Sequence, residues 1–125
     1  MIDHLSVGSH DIEKSVTFYT ECFGALGYSL QHRDQTQAVF GRDGVWSFIV
    51  YPTATGAALN GERTHVAFSA ASETAVQECY RIATSLGAAS LREPGERPDI
   101  NEKYYGAMFR DPDQHTLEVV HWKVA

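Results

Sequence analysis

The chain has 125 residues, a net charge of -6 and a hydrophobic fraction of 43%. That is enough for one domain with a core. It offers no basic face for nucleic acid and no apolar run long enough to cross a bilayer. The first residues, Met1-Ile2-Asp3-His4, lack the basic and apolar regions of a signal peptide, so a cytoplasmic protein is expected. Cys22 and Cys79 have no metal-type spacing and fall in predicted helices, which predicts two buried free thiols.

Residues 2–7 read as a first strand, with Leu5 and Val7 on one face and His4 and Ser6 on the other. Ser9 or Asp11 can cap the helix that follows. Its Ile12, Val16, Tyr19 and Phe23 are spaced by four, three and four, one amphipathic face, and Gly24 and Gly27 end it. Residues 28–31, 38–41 and 45–51 read as three strands, with Asp43-Gly44 as a hairpin turn between the last two. Residues 52–63 read as a linker. The pattern then restarts. Strand 64–69 is followed by Ser72 as a helix cap and by a helix with Val76, Cys79, Ile82, Ala83 and Leu86 on one face, ending at Gly87. A strand at 88–91, a polar loop at 92–103 and strands at 104–109 and 116–122 complete the chain.

The restart is an internal repeat. His4 and His65 are 61 residues apart, and Gly27 and Gly87 are 60 apart. Each half is strand–helix–strand–strand–strand. The expected fold is therefore α+β: one domain over residues 1–125, made of two tandem βαβββ modules (about 1–55 and about 62–125). Such a module carries its helix on one face of the sheet and leaves the other face open. Two modules together would form an open, barrel-like sheet around a cleft.

Polar residues placed on this repeat converge on a candidate site. His4 and His65 hold equivalent positions on the first strand of each half. Glu118 lies on the last strand of the second half, in an otherwise apolar run of Leu117, Val119 and Val120. A buried carboxylate there needs a cation, either a metal or an Arg or Lys. Two imidazoles and a carboxylate form a three-ligand set that suits Fe(II), Mn(II), Zn(II) or Ni(II) and leaves positions open for water, oxygen or substrate. On the corresponding strand of the first half, counting at an offset of 70 puts Phe48 where Glu118 stands, with Trp46 on the same face. Both aromatics fit either plain core or an apolar wall for a substrate. Ser6, two residues after His4, is placed for a substrate hydrogen bond. Tyr104 and Tyr105 point to opposite faces of their strand, so one faces the cleft, where a phenol would orient a substrate oxygen or donate a proton. His10, His32 and His115 fall in caps or loops and are expected in solvent. Loop 92–103 is a candidate lid.

The chain also resembles the vicinal oxygen chelate superfamily, which includes glyoxalase I, bleomycin-resistance proteins, fosfomycin-resistance thiol transferases and extradiol dioxygenases. The resemblance rests on Ile2-Asp3-His4-Leu5, Ser15-Val16-Thr17-Phe18-Tyr19, Leu26-Gly27-Tyr28, Thr64-His65-Val66-Ala67-Phe68, Tyr104-Tyr105-Gly106-Ala107, Asp111-Pro112-Asp113 and Leu117-Glu118-Val119-Val120. It implies a small-molecule enzyme with a divalent metal on His4, His65 and Glu118, and a homodimer; in some relatives the site is shared between subunits. Glyoxalase I uses a fourth ligand on the last strand of the first half. With Phe48 there the resemblance favours dioxygenase-like or lyase and isomerase chemistry over glyoxalase I. The thiol transferases rank lower because the cleft strands offer few Lys or Arg residues for an anionic substrate and glutathione. The competing expectation is a non-catalytic binding protein of the bleomycin-resistance kind. Gln114 stands where the family's turn usually has Gly.

Overall fold

The computed structural model describes residues 1–124. Its elements run β1 (Leu5–Ser9), α1 (Ile12–Gly24), β2 (Ser29–Arg33), β3 (Ala38–Arg42), β4 (Val45–Pro52), β5 (His65–Ser69), α2 (Glu73–Ser85), β6 (Ser90–Glu96), β7 (Tyr104–Arg110) and β8 (Thr116–Trp122). These are the two βαβββ modules expected from the repeat. The strands divide into two four-stranded sheets, ordered β1-β4-β3-β2 and β5-β8-β7-β6, with β1 and β5 as open edges. No described helix is long and apolar enough to cross a membrane.

Local chemistry sets the helix ends. The Asp11 side chain accepts from the Lys14 backbone N–H, and Ser72 accepts from that of Ala75, so each helix begins on a capped turn. Past the two helices, Gly27 and Gly87 take φ values of 81° and 95°, which a side chain would strain. The α1 stripe of Val16, Tyr19 and Phe23 is buried, and so are Val76, Cys79 and Ala83 of α2. Leu86, expected on the same face, lies past the end of α2 and is exposed. Cys22 and Cys79 are buried and free. Asp43 and Gly44 both have positive φ, as a tight two-residue hairpin turn requires.

Strand β6 occupies residues expected to form a loop. Pro94 and Gly95 had argued against a strand, but β6 is an edge, where a missing N–H costs no ladder bond. Its pairing with β7 shifts register between Ser90 and Arg92 and again between Arg92 and Gly95, which absorbs the irregularity.

The modules meet through α1, and aromatic rings fill the seam. Phe23 lies 4.9 Å from Phe68 of β5, and Phe48 lies 5.2 Å from the same ring, all edge-to-face. The turn between β7 and β8 grips the β1–α1 junction. The Tyr19 hydroxyl donates to Asp111 Oδ2 at 2.5 Å, Ser15 donates to Asp113 Oδ2 at 2.9 Å, and His115 Nε2 meets the Gly8 carbonyl oxygen at 2.8 Å. His115, expected in solvent, is thus buried in this clamp. Burial pushes the Asp111 carboxyl above its ordinary range, although the Tyr19 hydroxyl and the backbone N–H groups of Asp113 and His115 donate to it.

In the same turn Gln114 has φ 69°, a left-handed conformation that costs a side chain about 1–2 kcal/mol. Part of that is offset by the extra chain entropy a glycine loses on folding. Gln114→Gly is expected to stabilise the chain by roughly 0.5–1 kcal/mol, read as a higher urea midpoint at unchanged slope.

Candidate metal and substrate site

Paired residues in a sheet lie on one face, so the register shows what each face carries. On the side of the second sheet away from the helices, His65 pairs with Thr116, Ala67 with Glu118, Met108 with both Glu118 and Arg92, Gly106 with Val120, and Tyr104 with Trp122. Val66, Phe68, Leu117, Val119, Tyr105 and Phe109 take the helix side and pack in or against the core.

Glu118 is the centre of the open face. Its side chain is only 13% exposed. Oε2 accepts the Tyr104 hydroxyl at 2.7 Å and lies 3.8 Å from Arg92 Nη2. Oε1 lies 3.3 Å from His65 Nε2. Arg92 donates to the Tyr104 hydroxyl and sits over its ring, 5.3 Å from the centroid. A chain of donors, Arg92 to Tyr104 to Glu118, therefore fixes one carboxylate oxygen and leaves the other beside the imidazole. Gly106 makes this possible: a β-carbon there would come within 2.7 Å of Tyr104 Cζ, so the phenol lies across a position that must have no side chain. An open cleft of about 410 Å³ above Glu118 is lined by Ile100, Tyr104, Val120 and Trp122. Ile100 belongs to the segment after β6, the remaining part of the candidate lid.

Of the expected ligands, one chain brings together His65 and Glu118. His4 precedes β1, is half exposed and pairs its Nδ1 with Asp3 Oδ1 at 2.7 Å. It lines a different cleft, with Leu5, Tyr28 and Ser47, which meets the Glu118 cleft only along Ala67, Phe68 and Ser69. Among the described residues, no three His, Cys, Asp or Glu side chains gather closely enough for one ion. Ser6 shares a groove with Tyr51, Thr64, His65 and Thr116, between the two open sheet edges.

Three sequence placements change. Phe48 does not face the cleft. It lies in the core, 5.0 Å from Tyr19 and 5.7 Å from Phe23. A bulge in β4 pairs Phe40 with Phe48 but Gly41 with Trp46, leaving Ser47 as the extra residue. Strict alternation therefore fails between Trp46 and Phe48. Trp46 remains on the open face of the first sheet, stacked on His32 at 5.1 Å. His32, expected in solvent within a loop, belongs to β2 and also pairs with Asp34. The counterpart of Glu118 is Ile49: β1 pairs Ser6 with Ile49 as β5 pairs Ala67 with Glu118. Tyr105 also leaves the site, since it is buried against α2 with its hydroxyl bonded to Gln77 Nε2 at 2.8 Å. Tyr104 is the phenol on the open face.

Arg92 and Gly106 were missed. Arg92 was hidden because Pro94-Gly95 masked its strand. Gly106 carried a signal, a small residue two positions from both Tyr104 and Met108 on one strand face, as close approach over a sheet requires.

The chain belongs to the Glyoxalase/Bleomycin resistance protein/Dioxygenase superfamily, whose family model matches residues 1–119. It is 29% identical over 119 residues to the metallothiol transferase FosB of Shouchella clausii (strain KSM-K16), a match that covers 94% of this chain and 77% of that protein. Among solved structures it is similar to a glyoxalase/bleomycin resistance protein from Albidiferax ferrireducens T118, with TM-score 0.83, 26% identity, and coverage of 94% of this chain and 96% of the other. The fold is shared with the fosfomycin resistance protein FosX from Listeria monocytogenes, with TM-score 0.70, 19% identity, and coverage of 97% and 92%.

Burial, and next the Glu118 carboxylate, push the Tyr104 hydroxyl up to about 12. The folded chain holds this proton more tightly than the unfolded chain does. Its contribution to stability is therefore complete below about pH 10 and is lost as pH rises through about 12. Tyr104→Phe is expected to flatten this alkaline loss. At neutral pH the same change leaves Glu118 Oε2 without its donor and costs about 1–3 kcal/mol. Urea denaturation of both proteins at pH 8 and pH 11 measures both effects.

Proposed function

We propose that the chain is a metal-dependent enzyme of the glyoxalase/dioxygenase kind, which binds adjacent oxygens of a small substrate at a divalent ion held by His65, Glu118 and His4. The observation that carries this reading is the 3.3 Å separation of His65 Nε2 and Glu118 Oε1. Donors about 2.0–2.2 Å from a shared ion, at right or tetrahedral angles, stand roughly 3.0–3.5 Å apart. The donors also suit the ion chemically, since an imidazole and a carboxylate fit Fe(II), Mn(II), Zn(II) or Ni(II). When bound, the metal supplies Lewis-acid stabilisation of negative charge on substrate oxygen.

The third donor comes from a second copy in this reading. His4 opens onto another cleft of its own chain, and β1 and β5 are both open edges. A homodimer that sets one protomer's β1 beside its partner's β5 would bring them together. Ile49 at the fourth position leaves three protein donors. The roles of this chain's residues follow from their contacts. Tyr104 and Arg92 hold Glu118 Oε2 so that Oε1 stays directed at His65. Trp122, Val120 and Ile100 give an apolar wall that excludes water. Trp46 and Ser6 are the first module's contribution to substrate contacts. Arg92 also supplies the cation that group transfer to an anionic substrate needs, so thiol transfer stands beside dioxygenase-like and lyase or isomerase chemistry.

One observation favours the second reading, a binding protein without catalysis. Glu118 is already neutralised within the chain by Arg92 and Tyr104, so its burial does not by itself require a metal.

Metal analysis after loading with Mn(II), Fe(II), Zn(II) or Ni(II) separates the two. The enzyme reading predicts about one ion per chain in the wild type. It predicts at least ~10- to 100-fold weaker binding in His65→Ala and Glu118→Ala, with the fold retained. Equally low metal in wild type and variants under every loading condition contradicts it.

A further inference from the structure

We propose that the substrate of this site is an anion, in which the chelating oxygens sit next to a carboxylate, phosphonate or phosphate group that Arg92 recognises. The inference rests on the metal reading given above and deepens it. Its basis is a charge that the metal site does not need. Arg92 Nη2 lies 3.8 Å from Glu118 Oε2, and the Arg92 side chain is about four-fifths buried. Without a metal, the guanidinium and the carboxylate cancel. With a dication on Glu118 and the two neutral imidazoles, the same pocket holds two net positive charges, Arg92 among them, at low exposure. A cation fixed this close to a metal weakens metal binding by repulsion. Its presence is explained if the substrate brings negative charge beyond the oxygens that chelate.

The hydrogen bonding of Arg92 points the same way. A guanidinium has five N–H groups in a fixed fork. In the chain one nitrogen, Nη2, donates to the Tyr104 hydroxyl and faces Glu118. Nε is buried and has no partner among the described residues. An orphaned buried donor is costly, and a planar oxyanion can satisfy two parallel N–H groups at once. Tyr104 keeps the fork beside the open cleft, since its ring lies against the guanidinium. The whole chain carries a net charge of -6, so no general positive field would draw in an anion. Recognition is local to Arg92 and the metal.

The test uses the Mn(II)-loaded full-length protein and three probe ligands with one shared chelating group: acetohydroxamate, malonohydroxamate and phosphonoacetohydroxamate. The second adds a carboxylate and the third a phosphonate. Affinity is read from the change in water proton relaxation on displacement of Mn(II)-bound water. Wild type is expected to bind at least one of the two anionic probes about 10- to 100-fold more tightly than acetohydroxamate. Which of the two gains more identifies the anionic group. In Arg92→Met that preference is expected to fall to within about threefold, while acetohydroxamate binding stays within about threefold of wild type and Mn(II) itself binds as tightly or more tightly. Arg92→Lys should recover part of the preference. A merely structural Arg92 would weaken all three probes and the metal together. Wild type that binds Mn(II) but shows no preference, or Arg92→Met that keeps it, overturns this proposal alone. Wild type that binds no Mn(II) overturns the metal reading and this proposal with it.

Discussion

The contact on which the rest of this structure depends is the buried hydrogen bond from Tyr19 to Asp111, with the aromatic seam beside it. One βαβββ module has a helix on one face of a four-stranded sheet and too little apolar surface to close a core alone. Here α1 of the first module inserts Phe23 against Phe68 of the second, while the β7–β8 turn grips the β1–α1 junction through Asp111, Asp113 and His115. This joint is made on the helix side. It leaves both open sheet faces, and the edges β1 and β5, free for other use.

Much of this was legible in the sequence, because duplication leaves a strong signal. The equivalence of His4 with His65, the Gly27 and Gly87 helix ends and the Asp43-Gly44 hairpin all follow from local chemistry, and the two modules follow from them. Errors arose where a single residue changed the phase of a strand. Ser47 bulges out of β4, so alternation counted through it misplaces Phe48 by one face and hides Ile49 as the counterpart of Glu118. Long-range partners were illegible for a different reason. Nothing near Arg92 in sequence says that it lies beside Glu118, and nothing near His115 says that Gly8 will bury it.

The site is correspondingly divided. The second sheet supplies a prepared half: Gly106 makes room for Tyr104, Tyr104 fixes Glu118, and Glu118 faces His65. His4 and the Trp46–His32 stack belong to the first module and open elsewhere in the same chain. Such a division is what a shared site between two copies would leave in each one. The register argument replaces Phe48 with Ile49 at the fourth position, and the consequence for chemistry is unchanged, because neither side chain can ligate a metal.

The central claim, a metal site assembled from His65 and Glu118 of one chain and His4 of another, is tested most directly by complementation. His4→Ala and Glu118→Ala chains, each carrying a different affinity tag, are co-expressed, and the mixed dimer is isolated through both tags. In the mixed dimer one site lacks both residues and the other is intact. The account predicts one tightly bound divalent ion per mixed dimer, against none in either parent homodimer. A mixed dimer that binds no more metal than its parents would contradict it.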